Sequence, residues 1–488
     1  MSAMSTDAAA PAPHPADVEQ VTVDVVVIGG GPVGENIAQY ATEGTELTAA
    51  IVEGELMGGE CSYYACIPSK ALLRPLALAE ASAHMEGVAP GSLRAAELLR
   101  RRDEWVHQYD DSSQADWAEG AGIRVLRGHG RLSGEREVTV AGERPVRVTA
   151  RHAVVLATGS TPTIPPALQG LDAWTSRDAT GVREVPERLA IVGGGVVATE
   201  AATWMAALGS TVTLLVRGDR LLPGTEPAAG RIVLDALRER GVTVHLGTEV
   251  TAATRDDVQD TGLGRRHGGP LALGLSGDGP ARLEVDELLV ATGRRPRLDD
   301  LALETVGLTP AQVLGGDLPA WLLTVGDASG EAPLTHWGKY RARVLGDRVR
   351  AEATGQIPEP EPSVVPVPQV VFTEPQVAAV GMTAAQAEKA GHRVATAEVG
   401  YGSAAGTALI RDDADGTAIL VVDADTGIPL GATLVGPEAA ELIHPATVAI
   451  VGQVPVSVLR HAVPSFPTAS ELWLRLLEEL PRELRHRL

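Results

Sequence analysis

Two cysteines, Cys61 and Cys66, stand in the stretch GECSYYACIPSK (59–70), and the 488-residue chain has no others. Lys70 follows four positions after Cys66 and is one of only three lysines, with Lys339 and Lys389, among 41 Lys and Arg residues. Four chemistries could keep two thiols this close. A zinc site needs about four ligands, and no Cys or His partner lies at a suitable spacing. Two buried thiols could be inert packing. A structural staple over so short a step closes too small a loop to stabilise much. A redox pair needs a reactive thiol, as at a helix N-terminus, and a backbone that departs from a regular helix. Five helical residues rise about 7.5 Å, more than the usual Cα separation of a disulfide. The pair can therefore close only on a distorted first turn.

Elements able to position such a pair flank it. The apolar run Val23–Ile28 predicts a buried parallel strand. Gly29, Gly31 and Gly34 then form GxGxxG, and Pro32 to about Thr42 predicts a helix with proline in its first turn. A second apolar run, Leu47–Val52, ends at Glu53, 19 residues after Gly34. This is a βαβ unit with a dinucleotide fingerprint: the glycines admit a pyrophosphate to the helix N-terminus, and the acid accepts from a ribose diol.

A second copy begins with the strand Leu189–Val192, followed by Gly193, Gly195 and, in the third position, Ala198. Its second strand, Thr211–Val216, puts an apolar residue where the ribose-binding acid would stand. Arg217 follows, with Arg220 close behind. Arginine there pairs with a 2′-phosphate, which an acid would repel. The expectation is NADPH in preference to NADH, with NADH still possible. The alternative is a solvated arginine in an arginine-rich chain.

HAVVLATGS (152–160, with Gly159) and ELLVATGRRP (287–296, with Gly293) each read as a buried strand running into a glycine turn. WLLTVGDAS (321–329) is another such strand, ending at Asp327. The glycine-rich stretch 260–280 predicts a long hairpin, and GQIPEPEPSVVPVP (355–368) a linker. From about Val364 a separate α/β segment follows, without a glycine fingerprint.

Hydrophobic content of 44% and charged content of 21% fit an ordinary globular protein. A net charge of −22 argues against a nucleic-acid partner, which needs a basic face. No apolar run is long enough for a membrane-spanning helix, so no membrane partner is expected. Residues 1–20, MSAMSTDAAAPAPHPADVEQ, lack the basic and apolar regions of a signal peptide, and their Ala/Pro bias predicts a disordered leader. The expected location is cytoplasmic, where a disulfide is more often catalytic than structural.

With the cysteine segment, these features resemble the flavoprotein pyridine nucleotide-disulfide oxidoreductase family, which includes dihydrolipoamide dehydrogenase, glutathione reductase and mercuric reductase. The family's usual pattern is GGTCxNxGCxPSK; here it reads GGECSYYACIPSK. Both fingerprints, ATGS, ATGRRP, the GD of TVGDAS and VPQVVFTEPQVAAVGMTAAQA (367–387) follow in the family's order from about residue 21.

The resemblance implies an α/β fold with two Rossmann-like dinucleotide-binding domains and a C-terminal α/β dimerisation domain. Residues 21–155 and 291–350 would form the FAD-binding domain, 156–290 the NAD(P)H-binding domain and 364–488 the dimerisation domain of a homodimer. FAD would be held by Gly29, Gly31, Gly34, Glu53, Lys70, Gly159 and Asp327. Gly193, Gly195, Ala198, Glu200, Arg217, Arg220 and Gly293 would hold NADPH. Hydride would pass from NADPH to the flavin, and two electrons onward to a Cys61–Cys66 disulfide. The resemblance makes Cys66 the flavin-proximal, charge-transfer thiol and Cys61 the thiol that meets the acceptor. Lys70 would sit beside flavin N5, paired with Glu200, and Asp327 would hold the ribityl chain.

One motif departs. The family's HPTxxE, supplied by the partner subunit, reads Ser465-Phe466-Pro467-Thr468-Ala469-Ser470-Glu471 here. The histidine that protonates the leaving thiolate has become Phe466. Phenylalanine transfers no proton, and such help is worth about 10²–10⁴-fold. His461 and His444 are candidate substitutes, although an exposed or core histidine is the simpler reading of each. Tyr63 and Tyr64 could donate but read more simply as packing. Glu471 has no histidine to orient and reads as a relic. Mercuric reductase also lacks the histidine but normally carries an additional C-terminal cysteine pair; no cysteine follows Cys66 here. Three functions remain open. The dithiol could reduce an unusual small-molecule electron acceptor, an activated disulfide or a metal ion. The flavin could pass electrons straight to a quinone. The chain could also be a non-catalytic flavoprotein sensor.

Overall fold

A computed structural model describes residues 18–486 of the chain. Most of the expected leader lies outside the described residues. Its last two positions, Glu19 and Gln20, are not leader: they begin strand β1 (Glu19–Ile28) and pair with Val146 and Arg147. The chain divides into two compact units.

Among the described residues, the first unit comprises 18–61, 110–160 and 296–360. Val25, Val26 and Val27 of β1 are fully buried, as a central parallel strand requires. Parallel neighbours flank it on both sides: β2 (Ala49–Glu53) and the strand Val146–Leu156. Ile123–Arg127 continues the sheet beyond β2. Leu322–Thr324 pairs in parallel with Val146–Leu156, and an antiparallel extension runs through Glu137–Ala141 to His129–Gly134. Helix α1 (Pro32–Thr42) starts on its proline and buries Ile37, Ala38 and Ala41. The helix Thr335–Ala353 lies against it through two glycines. A Cβ at Gly338 would meet Val33 Cγ2 at 2.6 Å, and one at Gly346 would meet Tyr40 Cβ at 2.8 Å.

Among the described residues, the second unit comprises 62–109, 161–295 and 361–486. It holds a parallel sheet in the order Thr243–His245, Thr211–Leu215, Arg188–Val192, Glu287–Val290. The helix Val196–Ala207 is buried almost throughout. A three-stranded antiparallel sheet follows, Thr248–Arg255, Leu271–Gly277 and Arg282–Val285.

The glycine-rich stretch 260–280 is therefore not one hairpin. Leu271, Leu273 and Leu275 alternate and are buried, so their period makes a middle strand out of its second half. The connection before that strand is pinned by buried polar groups. Arg255 Nη2 and Glu287 Oε2 pair at 2.5 Å, both side chains fully buried. The same Glu287 oxygen accepts from the His267 backbone N–H at 3.0 Å, and the Trp174 indole donates to the Arg265 carbonyl at 2.7 Å.

The C-terminal segment builds a five-stranded antiparallel sheet, in the order Gln369–Val371, Gln376–Gly381, Pro429–Gly436, Thr417–Asp423, Val394–Gly400. Among the described residues, no helix is long and apolar enough to cross a membrane.

Candidate active site

The cysteines lie on either side of a helix break. Cys61 is in α2 (Gly59–Tyr63) and Cys66 opens α3 (Cys66–Ala83). Tyr64 and Ala65 form the break, with Ala65 at φ −135° and ψ −87°. This is the distorted turn that the five-residue spacing demands of a pair able to close. Both cysteines are half-buried. The Ala65 carbonyl accepts the first helical bond from Ser69 N–H at 3.2 Å, and the Ser69 hydroxyl donates to the Cys66 carbonyl at 3.1 Å. Cys66 thus sits at the positive end of an 18-residue helix, where an anion is favoured.

Upstream, the glycines of the first fingerprint divide their tasks. A Cβ at Gly29 would strike the Ala157 carbonyl, and one at Gly34 the Gly29 carbonyl, so these two close the turn. Gly31 has only the Gly59 Cα near its Cβ direction, at 4.0 Å. Gly59, at φ +54°, opens α2 so close to this turn that its own Cβ would lie 2.8 Å from Gly31 Cα. The start of the cysteine segment is thereby tied to the glycine turn. At the end of β2, Glu53 Oε2 accepts from Gly30 N–H and Oε1 from Glu55 N–H, each at 2.6 Å. Burial raises its pKa against those bonds. Asp327 accepts from the Ser160 hydroxyl at 2.5 Å, beside Gly159 at φ +74°. A helix N-terminus with an open glycine, an acid at the end of the second strand and a second oriented carboxylate fits FAD.

Lys70 Nζ lies 2.9 and 3.1 Å from the two oxygens of Glu200, which is almost fully buried on the helix Val196–Ala207. The backbone N–H of Phe372 donates to the same carboxylate at 2.8 Å, and Lys70 stands 4.6 Å from the centre of the Phe372 ring. The ammonium is held from two sides.

In the second fingerprint a Cβ at Gly193 would strike the Ala291 carbonyl, whereas Gly195 faces open space. Ala198 is fully buried, so a methyl fits the third position. Val216 is buried against the turn: a Cβ at Gly194 would lie 2.7 Å from its Cγ1. Arg217 is exposed, and among the described residues it has no salt-bridge partner. Arg220 donates to the Pro223 carbonyl at 2.7 Å. Gly293, at φ +117°, also faces open space. An open glycine at a helix N-terminus with an exposed arginine beyond the second strand suits a nicotinamide dinucleotide.

Phe466 is 77% exposed. Glu471 has a use: its Oε1 pairs with Arg475 Nη2 at 2.8 Å at the start of the helix Glu471–Glu479. Its Oε2 is buried with no hydrogen-bond partner among the described residues. His461 and His444 are exposed. Tyr63 is buried, a packing residue, while Tyr64 is half-buried.

Several site neighbours are absent from the sequence reading. Ser160 and Phe372 lie inside the motifs ATGS and VVFTEP, so their signal was present. Glu35, directly after Gly34, has its carboxyl raised to about 7, first by burial, near Lys339 and Glu53. Its Oε1 finds no hydrogen bond among the described residues. Nothing in its spacing marks it.

Comparison with known proteins identifies the family. Residues 23–312 match the pyridine nucleotide-disulphide oxidoreductase family and residues 367–476 its dimerisation domain. The chain is 33% identical to dihydrolipoyl dehydrogenase of Thermus scotoductus, covering 95% of this chain and 99% of that one. It is 32% identical to dihydrolipoyl dehydrogenase of Chlorobaculum tepidum, covering 93% and 96%. Among solved structures, LpdA from Mycobacterium tuberculosis superposes with a TM-score of 0.78 at 23% identity, covering 93% and 99%. The HOCl-induced flavoprotein disulfide reductase RclA from Escherichia coli gives 0.76 at 24%, covering 93% and 99%. The chain belongs to the pyridine nucleotide-disulphide oxidoreductase family. It is an FAD- and NAD(P)H-dependent oxidoreductase whose dimerisation domain makes it a homodimer.

Proposed function

We propose that the protein takes hydride from NADPH and delivers two electrons through Cys61 and Cys66 to an acceptor that needs no proton from the enzyme. Such an acceptor is an activated disulfide with a good leaving group, or a metal ion. One observation carries this reading: the cysteines flank a broken helix turn beside a held Lys70–Glu200 pair, while exposed Phe466 occupies the proton donor's place in the sequence.

When bound, FAD supplies the ring that accepts hydride and hands on an electron pair. Gly29, Gly31, Gly34, Glu53, Gly159 and Asp327 would hold it, within a domain formed by residues 21–155 and 291–350. Gly193, Gly195, Ala198 and Gly293, with Arg217 and Arg220 on the 2′-phosphate, would hold NADPH on residues 156–290. Residues 364–488 would form the dimerisation domain. Lys70 would place its charge beside the ring, oriented by Glu200.

The reduced Cys61 thiolate attacks a sulfur of the acceptor disulfide, forming a mixed disulfide and expelling one thiolate. Cys66 then attacks the Cys61 sulfur. The second acceptor thiolate leaves, and the Cys61–Cys66 bond re-forms. A low-pKa thiolate departs without protonation, so Phe466 costs little with such a substrate. The expected location of this chemistry is the cytoplasm.

A second reading, direct electron transfer to a quinone, is favoured by the exposed apolar ring of Phe466. Steady-state turnover with NADPH separates the two. Cys61→Ser is expected to lower reduction of an activated aromatic disulfide by at least about 10²-fold, as loss of a nucleophile does, and to leave reduction of a small quinone unchanged. Undiminished disulfide turnover in Cys61→Ser would remove the dithiol route and leave the quinone reading.

A further inference from the structure

The break between the cysteines is held from outside by side chains that no redox step uses. The Tyr64 carbonyl accepts from the Thr180 hydroxyl at 2.7 Å. The guanidinium of Arg177 stands over the Tyr64 ring, 4.4 Å from its centre. The ring of Tyr109 stacks on Tyr64, with centroids 5.5 Å apart and planes inclined by 27°.

Tyr109 arrives there by an unfavourable backbone path. His107, Gln108 and Tyr109, three consecutive residues with side chains, all lie in the left-handed region at φ 48°, 52° and 63°. Such a run persists only where its surroundings over-determine it. They do so here. Helix α4 (Ala95–Trp105) precedes the run and carries Arg102, which is fully buried and donates to the Thr180 and Val182 carbonyls. The Tyr109 backbone N–H donates to the Val106 carbonyl at 2.8 Å. A closed circuit results: Arg102 fixes Thr180, Thr180 fixes the Tyr64 carbonyl, and Tyr109 returns from the end of α4 to the Tyr64 ring. The Tyr109 hydroxyl is buried with no hydrogen-bond partner among the described residues, so the ring is the part in use.

We propose that Tyr109 is a positioning residue for the redox pair, fixing through Tyr64 the helix break on which closure of the Cys61–Cys66 pair depends. The inference rests on the reading of these cysteines as a redox dithiol. How readily a disulfide forms from its dithiol depends on the effective concentration of one thiol at the other. A loosened break lowers that concentration and makes the disulfide easier to reduce.

The test is an anaerobic dithiothreitol redox buffer applied to the FAD-loaded protein. Dithiothreitol donates two electrons and two protons, closes to its cyclic disulfide and converts the Cys61–Cys66 bond to two thiols. Alkylation and mass spectrometry then count those thiols. Tyr109→Ala is expected to shift the equilibrium constant about tenfold towards the dithiol, which is about 30 mV. Tyr109→Phe, which keeps the ring and drops a hydroxyl with no partner among the described residues, should stay within about twofold of wild type, the size of an ordinary small surface effect. If Tyr109→Ala does not retain FAD, Thr180→Val, which removes the bond to the Tyr64 carbonyl, should shift the constant in the same direction. A residue that merely stabilises the fold would lower the melting temperature and leave this constant unmoved. An unshifted constant in a folded Tyr109→Ala or Thr180→Val protein overturns the proposal, as does Tyr109→Phe behaving like Tyr109→Ala. A wild-type protein that forms no Cys61–Cys66 disulfide in oxidising buffer overturns the dithiol reading itself.

Discussion

Phe466→His raises turnover of an unactivated disulfide, lipoamide or glutathione disulfide, by about 10²-fold. The leaving thiolate of such a substrate has a pKa near that of free cysteine and needs a proton as it departs. The resemblance puts that donor at position 466, where phenylalanine offers no proton. What remains of the motif is ready for the change. Thr468 closes its turn by donating to the Ser465 carbonyl at 2.7 Å. Glu471 is buried at the head of its helix and keeps one carboxylate oxygen without a hydrogen bond among the described residues. An imidazole N–H could use it, as the family's Glu orients its His. Activated disulfides should gain little from the same substitution, because their thiolates leave unaided. Steady-state assays with both substrate classes check this; no gain with lipoamide or glutathione disulfide would count against the missing proton donor as the limiting step.

Arg217→Ala raises the KM for NADPH about tenfold or more and leaves that for NADH nearly unchanged. A charge-assisted hydrogen bond is worth about 1.5–3 kcal/mol, and about 1.4 kcal/mol is tenfold in binding. Two observations support the specificity. Val216 stands where the fingerprint expects the acid that holds a ribose 2′-hydroxyl, and its apolar side chain is buried against Gly194. The guanidinium of Arg217 is exposed and has no salt-bridge partner among the described residues, so it binds a phosphate without first breaking another ion pair. Arg220 is a weaker candidate, since it already donates to a carbonyl. Initial rates with both nucleotides decide; equal effects on the two would remove the cofactor argument.

Much of the site could be read from spacing because each motif is a local solution to a local demand. The fingerprint glycines announce a turn that only glycine closes, and in the structure Gly29 and Gly193 each face a carbonyl that a Cβ would strike. The five-residue step between cysteines demanded a broken helix, and the break falls between Tyr63 and Cys66. The glycine-rich stretch 260–280 was misleading. Its glycines suggested one long hairpin, but the buried alternation of Leu271, Leu273 and Leu275 makes its second half a middle strand. The Tyr109 clamp could not be read at all. Tyr64 and Tyr109 are far apart in sequence, Thr180 further still, and only the tertiary fold brings them together. Glu35 was silent for the same reason: its raised carboxyl arises first from burial, and burial of one acid leaves no periodic mark.

In the proposed function, electrons leave the flavin through the cysteines. The most direct measurement is an anaerobic NADPH titration of the FAD-loaded protein, followed by visible absorbance. The expected result is a long-wavelength band that reaches its maximum at two-electron reduction and is lost in Cys66→Ser. Direct bleaching of the flavin without such a band would contradict it, and the two cysteines would be bystanders to an enzyme that reduces quinones.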